Sequence, residues 1–137
     1  MKTCKLLALM LAAMMLVGAL VSCGGGGATT DVTLILQVDG TDTPMFEQVI
    51  SVKGETITVG DVIEEATMSY GLTLGWTDLD ALTMPDYPDH LNEDGTYDMW
   101  ICLINGSEPK GRTRETEVKA GDKIVYTYTH YTPVEEK

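Results

Sequence analysis

The stretch ITVGDVIEEA, residues 57–66, decides the fold, because within it the spacing of apolar residues becomes that of a helix. Apolar residues recur there at i, i+3, i+4 and i+7 and so share one helix face. They are Val59, Val62, Ile63 and Ala66. Thr58 precedes them and Asp61 follows it by three residues, which is the spacing of a capping box. We therefore predict a helix that begins after Thr58, ends at Gly71 and turns its apolar face towards a sheet.

Strand patterns lie on both sides of the predicted helix. Before it, residues 31–38 and 46–53 show the alternation of two strands joined by a turn. After it, residues 97–104 and 124–131 form two more strands, whereas residues 71–95 show no regular period. The order strand, strand, helix, irregular segment, strand, strand predicts an α+β fold that is β-grasp-like. In such a fold, a mixed sheet of four to five strands packs on one helix.

Two turns separate the last two strands. Asn105-Gly106 is a strong signal for a two-residue turn, and Gly121-Asp122 belongs to a second turn. We therefore assign Asn105, Gly106, Gly121 and Asp122 a structural role as turn formers.

The N-terminal segment has the pattern of an export signal. Lys2 and Lys5 give it positive charge, residues 6–20 are almost wholly apolar, and small Ser22 precedes Cys23. The apolar stretch is shorter than the about 20 residues that a bilayer-spanning helix needs. A transmembrane anchor and an ordinary secretory signal are the less favoured alternatives.

The sequence LVSC, residues 20–23, resembles the lipobox of bacterial lipoprotein signals. The resemblance implies that residues 1–22 are a signal peptide and that Cys23 carries a diacylglyceryl group and acyl chains such as palmitate. Residues 23–30 would then form a lipidated, glycine-rich tether, and residues 31–137 one domain. The implied location is extracytoplasmic, with the lipid anchor in the outer face of the bacterial cell membrane. In a cell with two membranes it would be the outer membrane.

Composition limits the partners of this chain. Its 137 residues carry a formal net charge of −12. So acidic a surface repels phosphate backbones, and we expect no nucleic-acid partner. Of three cysteines, Cys4 would leave with the signal and Cys23 would carry lipid. Cys102 would then remain alone, without an intramolecular disulfide, in an apolar run typical of a buried thiol.

Recognisable catalytic motifs are absent from the sequence. It has no phosphate-binding glycine loop, zinc-type cysteine pairs, His-Glu-x-x-His helix or Gly-x-Ser-x-Gly turn. His90 and His130 have no identifiable nucleophile to serve and fit surface positions better than the role of a general base. We therefore expect a protein that is not an enzyme and that has no covalent cofactor beyond its N-terminal lipid.

The acidic segment before the third strand partly resembles a calcium-binding loop. Asn92, Asp94 and Asp98 would be its metal ligands, around a glycine turn. His90, however, stands where such a loop starts with Asp, and Ile101 replaces the closing Glu. A solvated turn is therefore the favoured interpretation, and calcium binding the less favoured one.

Aromatic residues are the other candidates for a site, since Tyr and Trp combine flat apolar area with a polar tip. The predicted ligand-binding residues are Trp76, Tyr87, Trp100, Tyr126 and Tyr128. Trp76 and Tyr87 lie in the irregular segment and suit a surface contact. Trp100 lies in a strand, where a core position is the favoured alternative.

Three motifs occur here in an order typical of one family. They are ITVGDVI at residues 57–63, WICLING at residues 100–106 and VKAGDKIVY at residues 118–126. Behind a lipobox, they resemble the transcobalamin C-terminal-like domain of bacterial surface lipoproteins, over roughly residues 31–131. The resemblance implies a β-grasp-like fold and kinship with the smaller domain of the vitamin B12 carriers intrinsic factor and transcobalamin. The helical-barrel domain with which those carriers enclose cobalamin has no counterpart in this sequence.

Two hypotheses of function follow from these patterns. The first is a lipid-anchored extracytoplasmic binding module that captures cobalamin or a related corrinoid at the cell surface. The alternative is a protein-interaction or adhesion module without a small-molecule ligand, whose sheet offers an edge or a face to a surface protein. The first hypothesis predicts that the domain shifts the absorption spectrum of cobalamin or gains thermal stability with it. The second predicts an exposed apolar patch or a long unpaired strand edge, with no enclosed pocket.

Overall fold

The computed structural model describes residues 27–133. The predicted signal peptide, Cys23 and the first residues of the predicted tether lie outside this range. The described residues form, in chain order, β1 (Thr29–Val38), β2 (Phe46–Lys53), β3 (Ile57–Thr58), α1 (Val59–Tyr70), β4 (Gly75–Trp76), β5 (Leu82–Thr83), β6 (His90–Leu91), β7 (Tyr97–Ile104), a 3-10 turn (Thr113–Glu115), β8 (Glu117–Val118) and β9 (Lys123–Tyr131).

Five of these strands form one mixed sheet in the order β2-β1-β9-β7-β6. β1 pairs antiparallel with β2 and parallel with β9, while β7 pairs antiparallel with both β9 and β6. Two short ladders, β3 with β8 and β4 with β5, complete the strand pairing of the described residues. The predicted α+β class, with a mixed sheet and one helix, is thus confirmed.

The helix predicted from residues 57–66 is confirmed over Val59–Tyr70. Thr58 Oγ1 accepts a hydrogen bond from the N–H of Asp61 (3.3 Å), and Asp61 Oδ2 accepts one from the N–H of Thr58 (2.8 Å), so both halves of the capping box form. Gly71 ends the helix in the left-handed conformation (φ 66°), and its N–H donates to the Thr67 carbonyl. The helix face that is buried consists of Val59, Val62, Ile63 and Ala66.

The core lies between α1 and one face of the sheet. Val32, Leu34 and Leu36 of β1 are fully buried and belong to one apolar cluster with the buried face of the helix. Burying a side chain of this size contributes roughly 1.5–3 kcal/mol. This layer therefore fixes α1 on the sheet, and with it the surfaces at the start of α1.

The first strand begins two residues before the predicted start of the domain. Thr29 and Thr30 pair with Lys53 and Val52 of β2. The tether itself and its boundary with the domain stay predictions.

The two predicted turns form at both ends of the connection between β7 and β9. Asn105 and Gly106 have φ values of 51° and 85°, and a positive φ at both positions is typical of a type I′ turn. Gly121 also has a positive φ (87°). Asn105 Nδ2 donates to Asp122 Oδ1 at 2.9 Å, and Asn105 Oδ1 accepts from the N–H of Lys123 at 2.9 Å. These bonds tie the two turns to each other.

The segment between α1 and β7, predicted to be irregular, contains three strands of two residues each, β4, β5 and β6. A tight turn connects β4 to β5, in which the N–H of Ala81 donates to Thr77 Oγ1 (3.1 Å) and Asp80 has a φ of 65°. In the part of the chain that the structure describes, no helix is long and apolar enough to cross a membrane.

Candidate ligand-binding groove

The aromatic residues predicted to bind a ligand lie in three different places. Tyr87, Trp100 and Tyr128 pack against one another, Tyr126 lies in the core, and Trp76 lines a groove. The ring centroids are 6.0 Å apart for Tyr87–Trp100, 5.3 Å for Tyr87–Tyr128 and 5.4 Å for Trp100–Tyr128. All three distances are typical of favourable aromatic pairs.

Two of the three polar tips of this aromatic cluster bond to the protein itself. Trp100 Nε1 donates to the Tyr87 carbonyl at 3.1 Å, and the Tyr128 hydroxyl donates to the Pro88 carbonyl at 2.8 Å. Trp100 is only 3% exposed. The cluster therefore fastens residues 87–88 to the sheet, which agrees with the core position that was the favoured alternative for Trp100.

Tyr126 is placed away from any surface ligand. It is 1% exposed, and its hydroxyl makes no well-formed hydrogen bond among the described residues, since its neighbour there is the thiol of Cys102, a weak partner. Burial raises the pKa of this phenol far above its ordinary value. Its neighbour Cys102 is also buried, which raises the pKa of the thiol to about 11. Both groups are therefore neutral near pH 7, and the Cys102 thiol is poorly reactive.

The predicted calcium ligands lie at the hairpin between β6 and β7, where they bond to protein groups. Asp94 Oδ1 accepts from the Thr96 hydroxyl (2.6 Å) and N–H (3.0 Å), and these bonds lower the pKa of Asp94. Asp98 Oδ1 lies 2.7 Å from His130 Nδ1, and this bond lowers the pKa of Asp98. Asn92 Nδ2 donates to Thr96 Oγ1. Over residues 27–133, no group of three or more His, Cys, Asp or Glu side chains is arranged to hold a metal ion.

A groove of about 470 Å³ lies beside the first half of α1. We call it the α1 groove, and residues of α1, β4 and the 3-10 turn line it. The Arg114 guanidinium lies over the ring of Trp76, with its carbon 5.8 Å from the ring centroid, which is a cation–π distance. Ile63, Met68 and Leu74 add apolar surface. The groove thus combines an aromatic ring, a cation and an apolar lining.

Contacts between distant parts of the chain position Arg114 in the α1 groove. The N–H of Arg114 donates to Asp80 Oδ2 at 3.2 Å. The N–H of Val59, at the start of α1, donates to the carbonyl of Thr116 at 2.9 Å. Gly60 permits the close approach, because a Cβ there would lie 2.9 Å from Arg114 Cγ and 3.0 Å from the Arg114 carbonyl oxygen. The helix start, the β4–β5 turn and the 3-10 turn together fix the cation.

The charge of Arg114 is available to a ligand. Arg112 forms an ion pair with Glu115 at 2.8 Å, whereas Arg114 forms no ion pair with any carboxylate in residues 27–133. Asp61, Glu64 and Glu115 also line the groove. An anionic ligand therefore needs its charge placed directly at the guanidinium to outweigh these three carboxylates.

The sequence pointed to Trp76 but not to Arg114, Asp80 or Gly60. Asp80 and Arg114 are 34 residues apart, so no local motif joins them. The sequence did contain one signal, the glycine at position 60 within the predicted helix. Glycine in a helix is less stable than alanine by about 1 kcal/mol, so its presence is typical of a position where another part of the chain comes close.

Comparison with known proteins assigns no family to the chain. No family model matches it, and no curated protein matches it. The residues that line the α1 groove and the sequence pattern around them are therefore the observations from which a function can be inferred.

Proposed function

We propose that this protein is a lipid-anchored, extracytoplasmic binding module with a β-grasp-like fold, and that it holds a small molecule in the α1 groove without transforming it. The observation that carries the proposal is the Arg114 guanidinium over the Trp76 ring, 5.8 Å from its centroid. The groove volume of about 470 Å³ supports the proposal, because ligand pockets commonly measure about 300–1,000 Å³.

The lining of the α1 groove defines the class of ligand. Because Arg114 lies over the ring of Trp76, a planar ligand ring would contact the edge of the indole or stack on the guanidinium. Arg114 offers several N–H donors in a plane, the arrangement that suits a carboxylate or a phosphate. Ile63, Leu74 and Met68 would cover apolar parts of the molecule. A ligand with a planar ring and a nearby acidic group would use all of these residues.

Cobalamin, which the resemblance to the transcobalamin C-terminal-like domain implies, contains such a portion. Its nucleotide tail joins a planar base to a phosphate diester, whereas the whole corrinoid is larger than a groove of about 470 Å³. We therefore propose that the α1 groove takes the nucleotide tail and leaves the corrin ring outside. Cobinamide, which has the corrin ring but lacks the base and its ribose, is the matched control ligand.

The test is a titration of the full chain in mild detergent with cyanocobalamin and, separately, with dicyanocobinamide. We expect cyanocobalamin to raise the Tm, because a ligand that binds only the folded state stabilises it. Dicyanocobinamide should not raise it. No effect of cyanocobalamin well above micromolar concentration would overturn cobalamin as the ligand. Equal effects of the two compounds would overturn binding through the tail.

The lipid anchor has a separate test with a matched control. Cys23→Ser should abolish incorporation of labelled palmitate and release the chain from the membrane fraction. Cys4→Ser should change neither, because Cys4 lies inside the predicted signal peptide. Labelling that survives in Cys23→Ser would contradict the anchor, whatever the ligand proves to be.

A protein-interaction module is the second candidate function. It is favoured by an exposed row across three adjacent strands, formed by Leu91, Tyr97 and Tyr131, which lie opposite one another in the strand register. Exposed Tyr side chains suit contact with a protein surface, and Leu91 adds exposed apolar area beside them. A photocrosslinking residue at Tyr97 should then give adducts on intact cells that the same residue at exposed Glu55 does not give. Equal adducts at both positions would contradict this candidate.

A further inference from the structure

Along the outer edge of β2, the backbone N–H and C=O groups are not paired with any strand of the described residues. β2 is the first strand in the sheet order. The N–H of Gly54 donates to the carbonyl of Ala28, so in the register of β1 and β2 the even-numbered residues of β2 bond to β1. The odd-numbered residues therefore direct their N–H and C=O groups outward. They are Glu47, Val49, Ser51 and Lys53.

We propose that two copies of this chain pair through this edge, antiparallel, about a two-fold axis at Ile50. In this register, Glu47 of one copy lies opposite Lys53 of the other, and Val49 lies opposite Ser51. In each of these pairs, both residues direct their backbone N–H and C=O groups out of the edge. Each pair can therefore exchange two backbone hydrogen bonds. The two sheets would become one continuous sheet, joined by a self-complementary interface.

Charge selects this register over its neighbours. An axis at Val49 would place Glu47 opposite Ser51, and an axis at Ser51 would place Val49 opposite Lys53. Of these three axes, only the one at Ile50 places a carboxylate opposite an ammonium group. Because of the two-fold symmetry, the interface then contains this Glu47–Lys53 pair twice. Opposite charges placed directly across two strands are stabilising, and like charges are destabilising.

The side of the edge that faces α1 is open. A groove of about 190 Å³ lies there between the edge strand and the last turns of α1, bordered by Glu65, Ser69 and Tyr70. On the other face, Val49 is 54% exposed and would be covered in part. β2 also contains no proline, the residue that commonly protects a free edge.

The test reverses charges at the edge, because general repulsion between acidic copies and the proposed register predict opposite effects on dimerisation. Glu47→Lys reduces the net charge of −12, so general repulsion between acidic copies would fall and association would strengthen. The proposed register predicts the reverse, because Glu47→Lys would put two lysines opposite each other at two places. We expect Glu47→Lys and Lys53→Glu each to weaken dimerisation about tenfold. The double variant should return to within about threefold of the parent.

Sedimentation velocity of the full chain in detergent, over a range of concentrations, measures this association. The micelle is common to all variants and cancels in the comparison. Glu93→Lys, in the exposed turn between β6 and β7, makes the same change of charge away from the edge and should not weaken dimerisation. A parent chain that stays monomeric at all concentrations would overturn the proposal, as would a double variant no better than the single ones.

A second variant tests the backbone bonds directly. Val49→Pro removes an N–H that points outward and that no described residue uses. It should therefore abolish dimerisation while leaving the Tm close to that of Val49→Thr, which keeps the N–H and should still dimerise. Dimerisation that survives Val49→Pro in a folded chain would exclude pairing through this edge.

Discussion

The aromatic cluster of Tyr87, Trp100 and Tyr128 and the Trp76–Arg114 pair contain similar residues but differ in where their polar groups bond. In the cluster, the indole N–H and the Tyr128 hydroxyl donate to backbone carbonyls. In the α1 groove, the Arg114 guanidinium has no carboxylate partner among the described residues. A cluster whose polar groups are satisfied holds the fold together, whereas one with an available cation can bind a ligand.

The largest expected difference between the two regions is in stability. Trp100→Ala should lower the free energy of unfolding by about 3–5 kcal/mol, because it empties a site that is 3% exposed. Trp76→Ala should cost less than half as much, because Trp76 is only partly buried. Urea unfolding followed by far-UV circular dichroism measures both. Equal losses would mean that Trp76 is as much a structural residue as Trp100.

Gly60→Ala should affect the α1 groove more than the fold. The new Cβ would lie 2.9 Å from Arg114 Cγ and 3.0 Å from the Arg114 carbonyl, so the 3-10 turn must shift and move the cation. We expect cyanocobalamin affinity, measured by calorimetric titration, to fall about tenfold, equivalent to about 1.4 kcal/mol. The Tm should change little, because alanine favours the helix by about 1 kcal/mol. Ser69→Ala, on another part of α1, should leave the affinity unchanged, and unchanged affinity in Gly60→Ala would contradict the role of this contact.

Two tyrosines on the same strand test the role of satisfied hydroxyl groups. Tyr128→Phe loses the bond to the Pro88 carbonyl and should lower the free energy of unfolding by about 0.5–1.5 kcal/mol. Tyr126→Phe removes a buried hydroxyl that makes no well-formed hydrogen bond among the described residues. It should leave stability unchanged or raise it, since an unpaired buried polar group costs about 1–3 kcal/mol. A loss in Tyr126→Phe as large as in Tyr128→Phe would mean that its hydroxyl is bonded in solution.

The smallest effect is expected at the hairpin between β6 and β7. The bond from His130 lowers the pKa of Asp98, so its stabilising effect is present above the ordinary Asp pKa and is lost as the pH falls through the lowered value. Asp98→Asn should therefore lower the Tm slightly at pH 6, and the difference should shrink as the pH falls through the lowered pKa of Asp98. Glu93→Gln in the same hairpin serves as the control. A difference between Asp98→Asn and the parent that does not shrink with falling pH would contradict this origin.

Local physical rules explain why the helix could be predicted from residues 57–66. The capping box joins residues three apart, and the residues of the apolar face recur every three to four positions. Both patterns can therefore be recognised within a short stretch of sequence. The two turns at Asn105-Gly106 and Gly121-Asp122 were predictable for the same reason.

The α1 groove depends on contacts that no short spacing shows. Arg114 is held by Asp80 and approaches Gly60, and these three residues come from separate loops and a helix. The aromatic set was predicted by residue type, but type does not reveal which hydroxyl or indole N–H finds a carbonyl. Tyr126 and Trp76 were therefore predicted as one set, although Tyr126 lies in the core and Trp76 lines the groove.

The most direct test of the α1 groove compares two arginines that are two residues apart. Arg114 lies over Trp76, whereas Arg112 is outside the groove lining and pairs with Glu115, which belongs to it. Arg114→Gln and Arg112→Gln remove the same charge, and calorimetric titration with cyanocobalamin compares their affinities. Binding through the groove predicts at least about a tenfold rise in Kd for Arg114→Gln, as expected for a lost charge-assisted bond. Arg112→Gln should cause a smaller rise, because it acts only by leaving the Glu115 carboxylate unpaired. Equal Kd values in the parent and both variants would contradict it.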